Sequence, residues 1–394
     1  MQIKNNYNHT IYASYIGYIT QAIVVNFAPL LFLTFHHTYH IPMERITLLI
    51  SINFAIQLVV DLAAAKFADK IGYKPLAVIA HVFIALGLAG LGVFPRIFPD
   101  PYSGIFTATA VYAIGGGLIE VLISPIVEAC PTEGKSASMS LLHSFYCWGH
   151  VFVVLFSTAF FYVFGIENWI FLALIWAAVP LFNAFYFSRV PVFTLTEEGQ
   201  GMPVKKLLSL KLFWILALLM VCSGAAEQAM NQWASVFAES GLGVPKAVGD
   251  LAGPCMFAAL MGVVRVIYSR FSKKFDLRVF MVGGGFLCLA GFLLAALSPY
   301  PVLSLVGCGL CGLSVGIMWP GTLSLASAKC PTGGTAMFAI LALAGDLGCS
   351  IGPATAGMAA TLGSGLKTGF IAAAVFPVLL IAGLVGFGKM AKGR

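Results

Sequence analysis

Residues 76–95 read LAVIAHVFIALGLAGLGVFP, a run of 20 residues without a charged side chain. An α-helix needs about 20 mostly apolar residues to cross the hydrocarbon core of a bilayer, so this stretch predicts a membrane-spanning helix. The composition of the whole chain agrees, because 60% of its 394 residues are hydrophobic and 9% are charged. A soluble domain carries about 25% charged residues. We therefore expect the bilayer to be the solvent of this protein.

Further apolar stretches predict an all-α membrane protein with twelve transmembrane helices. The expected spans are 11–35, 46–66, 76–95, 104–129, 137–162, 167–188, 213–237, 248–270, 279–297, 301–327, 335–361 and 369–388. The longest hydrophilic segment, Arg189–Lys211, separates the sixth span from the seventh. The chain is therefore predicted to contain an N-terminal six-helix bundle (1–188), a cytoplasmic linker (189–212) and a C-terminal six-helix bundle (213–394).

The basic residues indicate how the chain is oriented. With the N-terminus in the cytoplasm, 17 lysines and arginines lie on the inner side and only 4 on the outer side. Cytoplasmic loops of membrane proteins are enriched in Lys and Arg, so we expect both termini in the cytoplasm of a multi-pass plasma-membrane protein. Arg265 is the one basic residue left inside a span.

Three short matches relate the two halves in the same order. Cys130-Pro131-Thr132 returns 200 positions later as Cys330-Pro331-Thr332, the loop Phe67–Lys74 is echoed after 204 positions by Phe271–Arg278, and Asn26 and Phe32 match Asn231 and Phe237 at 205. These matches indicate a parallel duplication and hence two pseudo-symmetric bundles. Transporters built from such repeats hold their substrate near the middle of the membrane, between the repeats.

The loop after the second span carries the most specific motif. Residues 65–74, AKFADKIGYK, resemble the major facilitator signature G-x-x-x-D-x-x-G-R-K/R. Asp69, Gly72 and Lys74 match, whereas Ala65 and Tyr73 depart from the pattern. The resemblance implies that Asp69 meets the N-terminal end of a helix from the other half and helps to latch the inner gate. The alternative is an ordinary basic cytoplasmic turn.

A narrower resemblance covers several short segments. Residues 115–120 (GGGLIE), Ser124-Pro125 and residues 141–146 (LLHSFY) are similar to the fucose permease and glucose/mannose proton-symporter group, and so is the GAAE segment at 224–227. The resemblance implies a twelve-helix sugar transporter coupled to protons. One position departs from it, because Asn26 stands where the fucose permease pattern has an acid in the first span.

Glu120 lies near the middle of the fourth span. An ionisable residue at that depth costs about 2.5–3.5 kcal/mol on insertion scales, so it needs a reason to be there. We predict that Glu120 carries the coupled proton and contacts the substrate. The alternative is a protonated acid that hydrogen-bonds a neighbouring helix for packing.

The seventh span carries a second polar group. Glu227 and Asn231 are one helical turn apart and share a face, with Gln228 and Trp233 beside them. A carboxylate and amides suit sugar hydroxyls, which need both donors and acceptors, and Trp233 offers a stacking surface. Hydrogen bonding between helices is the alternative.

In the fifth span, His143 and Tyr146 are three positions apart. Histidine titrates near neutral pH, so a proton relay between His143 and Glu120 is one hypothesis. A structural hydrogen-bond donor is the other. Both residues are included among the predicted substrate contacts.

Asp61 and Arg265 occupy equivalent positions of the repeat, 204 residues apart, with opposite charge. We predict that both are gating residues, together with Asp69. Asp346 lies deeper in the eleventh span. It is either a coupling site or a partner of Arg265, and the sequence leaves both open.

These patterns favour a secondary active transporter, with proton-coupled symport of a sugar or a similar polar solute by alternating access as the main prediction. Proton coupling is assigned to Glu120, Glu227 and Asp346, and substrate contact to Asn26, Glu120, His143, Tyr146, Glu227, Gln228, Asn231 and Trp233. Two alternatives stay open. One is an exporter of lipophilic or drug-like compounds, with which the 32 Phe residues agree, and the other is a non-transporting membrane receptor or scaffold.

The sequence carries no strand–loop–helix motif that would cradle phosphates, so transport is expected to be passive or ion-coupled. We expect no enzymatic activity, no cofactor and no metal. The possible metal ligands in the first outer loop are His36, His37, His40 and Glu44, and we interpret them as residues of an exposed loop. The predicted partners are a small-molecule substrate, protons and the lipid bilayer, without nucleic acid. We expect the chain to be a monomer.

Overall fold

The computed structural model describes residues 6–193, 202–238, 242–244, 248–249, 251–363 and 365–392, and these ranges contain helices and no strand. The first half consists of α1 (Tyr7–Leu30), α2 (Phe32–Tyr39), α3 (Met43–Ile71), α4 (Tyr73–Ile97), α5 (Pro101–Ala129), α6 (Lys135–Phe164) and α7 (Trp169–Arg189). The second half consists of α8 (Val204–Ser209), α9 (Lys211–Val236), α10 (Met256–Phe271), α11 (Leu277–Leu297), α12 (Pro301–Val315), α13 (Met318–Lys329), α14 (Gly334–Leu362), α15 (Leu366–Ala373) and α16 (Val375–Lys392).

Among the described residues, 11 helical segments are long and apolar enough to cross a membrane. The predicted second span falls in α3, which contributes the shorter apolar segment Ile52–Ala64. The prediction of an all-α membrane protein is therefore confirmed. The boundaries differ in places, since α1 ends at Leu30 instead of residue 35, and α10 begins only after a π-helical turn, Leu251–Cys255.

The predicted tenth span consists of two helices, because α12 ends at Val315 and α13 starts at Met318. Pro320 lies in the first turn of α13. Proline is tolerated there because a helix has no intrahelical acceptor for the N–H groups of its first turn. The proline thus lies in the turn that follows the interruption.

Neighbouring helices approach closely where one of them has a glycine. A Cβ atom on Gly115 of α5 would lie 2.4 Å from the carbonyl oxygen of Ala80 in α4. In the second half, a Cβ on Gly307 of α12 would lie 2.6 Å from the backbone nitrogen of Ala295 in α11. Small residues give membrane helices this backbone proximity, which supports van der Waals packing where water provides no hydrophobic driving force.

A buried polar network joins α1, α4 and α7. The ring of His81 is fully buried, its Nδ1 donates to the carbonyl of Ala77 at 2.7 Å, and its Nε2 lies 2.8 Å from Asn183 Nδ2. Asn183 Nδ2 also lies 2.9 Å from the carbonyl of Ala13. The Nδ1 donor leaves Nε2 as an acceptor, so this histidine is a neutral structural link.

The chain divides into two compact units. The first contains Met1–Pro131, Phe145–Gly201 and Gly334–Ala339, and the second contains Thr132–Ser144, Met202–Gly333 and Ile340–Arg394. The start of α6 therefore belongs to the second unit and the start of α14 to the first. The central part of the predicted linker, residues 194–201, lies outside the described residues, and the division at residues 188 and 213 stays a prediction.

Candidate functional site

In the first unit, a carboxyl group and several amides converge on α5. Glu120 is half-buried, and its Oε2 accepts a hydrogen bond from Gln21 Nε2 of α1 at 3.2 Å. One turn earlier on the same helix, a Cβ atom on Gly116 would lie 3.1 Å from Gln21 Oε1 and 3.3 Å from Gln57 Nε2 of α3. The missing side chain at Gly116 thus leaves room for both amides beside Glu120.

We call Gln21, Asn53, Gln57 and Glu120 the amide cluster. Asn53 lies one turn before Gln57 on α3, and both are buried. Three buried atoms of this cluster, Gln21 Oε1, Asn53 Oδ1 and Gln57 Nε2, have no hydrogen-bond partner among the described residues. Of these four residues only Glu120 was predicted, because an ionisable group stands out within a span. The signal that could have found the others is the pair of amides one turn apart in the second span.

Asn26, which was predicted to contact substrate, lies half-buried on α1. Its Nδ2 donates to the carbonyl of Ala22 on the same helix at 2.9 Å. This bond occupies one of the two hydrogens on the amide nitrogen, so Asn26 keeps a donor and an acceptor for other partners. Its role as a substrate contact stays a prediction.

In the second unit, a buried arginine joins four helical segments. Arg265 of α10 is 2% exposed, and its Nη2 lies 3.8 Å from Glu227 Oε2 of α9. Its Nη1 donates to the backbone carbonyl of His143 in α6 at 2.7 Å, and its Nε donates to the carbonyl of Gly316 at 2.6 Å. Gln228 Nε2 donates to the other oxygen of Glu227 at 3.3 Å. The structure therefore brings together four of the predicted residues.

The other predicted residues of the seventh span lie farther along α9. Asn231 is half-buried, and its Oδ1 has no hydrogen-bond partner within the described ranges. Trp233 donates its indole N–H to the carbonyl of Pro353 in α14 at 3.0 Å. A Cβ atom on Gly357 would lie 2.9 Å from Trp233 Cζ2. The indole thus packs against α14. Its predicted contact with the substrate stays a prediction.

His143 and Tyr146 fall on opposite sides of the division between the units, which runs between Ser144 and Phe145. His143 is buried and Tyr146 is half-buried. Asp61 of α3 is fully buried, and Asp346 of α14 is 2% exposed. The hypotheses of a proton relay through His143 and of coupling at Asp346 stay predictions.

The signature loop contacts the start of α14. Asp69 Oδ1 accepts a hydrogen bond from the hydroxyl of Thr335, and the Tyr73 hydroxyl is hydrogen-bonded to the same Thr335 oxygen. Thr335 is the second residue of α14, and Tyr73 is buried. An acid near a helix N-terminus is stabilised by the helix dipole. Asp69 thus contacts the first turn of α14 together with the tyrosine that departs from the family signature, and its role as a latch stays a prediction.

No group of three or more His, Cys, Asp or Glu residues within the described ranges is arranged to hold a metal ion. Between the first and second spans, the side chains of His36, His37 and Glu44 lie outside the described part of the structure. All nine cysteines are free thiols, and eight of them are buried.

The comparison with protein families decides which family these helices represent. The sequence model described as Major Facilitator Superfamily matches residues 14–353. The chain belongs to the Major Facilitator Superfamily. The family predicted from the signature loop is therefore confirmed, and the chain is a multi-pass transporter for a small-molecule substrate in a lipid bilayer. A search of curated proteins found no match.

Solved structures of this superfamily share the fold at low sequence identity. The E. coli fucose:proton symporter FucP is 15% identical, with a TM-score of 0.80, over 96% of this chain and 98% of that chain. The proton:xylose symporter XylE bound to 6-bromo-6-deoxy-D-glucose is 11% identical, with a TM-score of 0.81, over 95% and 94%. The human organic anion transporter MFSD10 is 14% identical, with a TM-score of 0.75, over 97% and 100%. At these identities the likeness establishes the fold alone.

Proposed function

We propose that this major facilitator protein carries out proton-coupled symport of a sugar or a similar polyhydroxylated solute by alternating access. The observation that carries the proposal is the amide cluster, in which the carboxyl group of Glu120 accepts from the Gln21 amide and the Gln57 amide lies one turn away at Gly116. A membrane protein retains an acid within a span only at a cost, so such an acid is a functional candidate by default.

The partner of Glu120 suits a group that changes its protonation state. Gln21 has an amide nitrogen that donates and an amide oxygen that accepts. Its Nε2 donates to Glu120 Oε2 in the structure. A carboxylate can accept from the nitrogen, and a carboxylic acid can in addition donate to the oxygen. Glu120 can therefore take up and release a proton while keeping a hydrogen bond to Gln21.

The remaining polar atoms of the amide cluster suit a neutral hydroxylated solute. A hydroxyl group both donates and accepts, and besides the Gln21 oxygen, which protonated Glu120 can use, the cluster offers a buried acceptor, Asn53 Oδ1, and a buried donor, Gln57 Nε2. Leaving such atoms unpaired in a buried site costs about 1–3 kcal/mol each, and a solute that pairs with them would recover part of that cost. FucP and XylE are sugar symporters and MFSD10 is an organic anion transporter, and the neutral donors and acceptors of the amide cluster favour the sugar class.

Coupling then follows from linkage. If protonated Glu120 favours solute binding, bound solute favours protonation of Glu120 by the same factor. We assign the gate to Asp69 with Thr335 and Tyr73, and retain Asp61 and Arg265 as gating candidates. Glu227 and Asp346 remain the second candidates for proton coupling. The orientation with both termini in the cytoplasm, the plasma membrane as location and the monomeric state belong to the same proposal.

Ligand-dependent stability of the purified protein tests the substrate class. A ligand stabilises the state that it binds, so the melting temperature should rise with a substrate and stay unchanged with solutes that do not bind. We expect stabilisation by a sugar or polyol, and none by nucleosides, organic anions or lipophilic cations. Stabilisation by a lipophilic cation or an organic anion alone would contradict the sugar assignment and support the exporter.

Uptake into proteoliposomes tests the coupling. An inward-directed proton gradient should drive accumulation of the stabilising sugar above its external concentration, and collapse of the gradient with a protonophore should abolish the accumulation. Equal uptake with and without the gradient would show that the transport is not coupled to protons.

A further inference from the structure

The interruption of the tenth span leaves a backbone carbonyl without its helical donor. In a continuous α-helix, the carbonyl of Gly316 would accept from the backbone N–H of residue 320. That residue is Pro320, which has no N–H. Unsatisfied backbone groups in the hydrocarbon region of a membrane cost several kcal/mol, so this carbonyl needs another donor.

Arg265 supplies that donor. Its Nε lies 2.6 Å from the Gly316 carbonyl oxygen. The approach depends on the glycine, because a Cβ atom on Gly316 would lie 2.2 Å from Val264 Cγ1 and 2.8 Å from the Met261 carbonyl oxygen. Helix α10, which carries Arg265, thus packs directly against the break between α12 and α13.

The same guanidinium group makes the two other contacts described above, at His143 and Glu227. The donor atoms of an arginine are held in one rigid plane, so the position of Nε is linked to the positions of Nη1 and Nη2. A displacement of the Glu227 carboxylate of α9 would therefore be transmitted to the Gly316 carbonyl through a single side chain.

We propose that Arg265 is a positioning residue that makes the interruption between α12 and α13 depend on the carboxylate of Glu227. The interruption is stable while Nε donates to the Gly316 carbonyl, and the ion pair with Glu227 positions Nη2 of the same group. Events at Glu227 in the transport cycle then alter the relation between α12 and α13. The role of Glu227 in that cycle rests on the proposed function, whereas the support of Gly316 by Arg265 does not.

A double-mutant cycle of Arg265→Lys and Pro320→Ala isolates this contact. Lysine keeps the positive charge but is a single ammonium group, so it cannot reproduce the three-way fork. Alanine at position 320 restores an N–H that can donate to the Gly316 carbonyl.

We expect Arg265→Lys to lower the melting temperature and to slow solute exchange about tenfold, within the range of such coupling energies. Adding Pro320→Ala should recover most of both losses. The matched control is Pro180→Ala in α7, another proline inside a helix, which should rescue neither.

The melting temperature is measured without solute, so it tests the positioning role even if the protein does not transport sugars. Rescue of stability without any sugar transport would support the role of Arg265 and contradict the proposed function. The opposite result is that the protein transports sugar but the double variant melts at the same temperature as Arg265→Lys. That result would contradict the role of Arg265 and leave the symport proposal intact. If Arg265→Lys fails to fold, recovery of folded protein by Pro320→Ala is the supporting result, and failure of the double variant to fold overturns the proposal.

Discussion

Two stretches that correspond in the repeat have different surroundings. Gly116 and Glu120 of α5 correspond to Gly316 and Pro320 of the tenth span, since both pairs are 200 positions apart. In the first unit, Gly116 leaves room for two amides beside a carboxyl group. In the second unit, the carbonyl of Gly316 accepts from Arg265. The glycine is common to both, but the residue one turn later is an acid in one case and a proline in the other.

The difference between these two stretches is the basis on which we propose different roles for them. Arg265 occupies the position that corresponds to Asp61 of the first half. Glu227 therefore has a positively charged partner, Arg265, whereas the corresponding position of the first unit carries an acid. An amide accommodates both protonation states of an acid, whereas protonating Glu227 would remove a countercharge from a buried guanidinium. We therefore place proton exchange at Glu120 and mechanical support at Glu227 and Arg265.

The largest expected effect is that of Glu120→Gln. Glutamine mimics the protonated acid permanently, so solute binding and counterflow exchange should persist, because neither requires net proton release. Accumulation driven by a pH gradient should fall to background, as the empty site can no longer release a proton. The matched control is Glu167→Gln, the same change in the exposed turn before α7. Normal gradient-driven accumulation in Glu120→Gln would move the proton site to Glu227 or Asp346.

Asp69→Asn should have the next largest effect, on the rate rather than on affinity. The variant loses the negative charge at the N-terminus of α14, an interaction worth about 0.3–1 kcal/mol at exposed sites and more when partly buried. A latch changes the balance of conformations, so turnover should slow while the half-saturating solute concentration stays similar. The matched control is Lys273→Ala at the corresponding position of the second half, 204 residues later. If Lys273→Ala slowed turnover as much as Asp69→Asn, the two loops would not differ in their contribution to gating.

Glu227→Gln should slow exchange severalfold and keep gradient-driven accumulation. The amide has no charge to attract Arg265 Nη2 across the 3.8 Å of the ion pair, so the guanidinium is held less firmly. The ratio of accumulated to external solute at steady state, measured beside Glu120→Gln, separates the two roles. Loss of accumulation in Glu227→Gln together with its retention in Glu120→Gln would reverse our assignment of the two units.

The fold was predictable from sequence because its signal is distributed over the whole chain. Each span is a long apolar stretch, and the short signature around Asp69 sufficed to name the family. The interruption was not predicted from the same signal, because residues 301–327 as a whole are long and apolar enough for one continuous span. Pro320 is visible in the sequence, but its consequence depends on a donor from α10, which only the packing supplies.

The candidate site was predictable only in part. Ionisable residues such as Glu120, Glu227 and Arg265 stand out because each is costly in a span. Neutral amides such as Gln21 and Gln57 cost less and are common in helix contacts. Their convergence on Gly116 depends on the packing of three helices, and no spacing along one helix predicts it.

Gly116→Ala should have the smallest effect, because it alters the amide cluster without removing any of its groups. The new Cβ would lie 3.1 Å from Gln21 Oε1 and 3.3 Å from Gln57 Nε2, so both amides must move by a few tenths of an ångström. We expect solute affinity to fall about threefold, since small displacements weaken hydrogen bonds without abolishing them. Gradient-driven accumulation should persist, because Glu120 is unchanged. Gly283→Ala is the matched control, since a Cβ there meets no atom within 4 Å. If both variants bind solute as the unmodified protein does, the amides around Gly116 are not part of the solute site, and the proposed substrate class loses its main structural support.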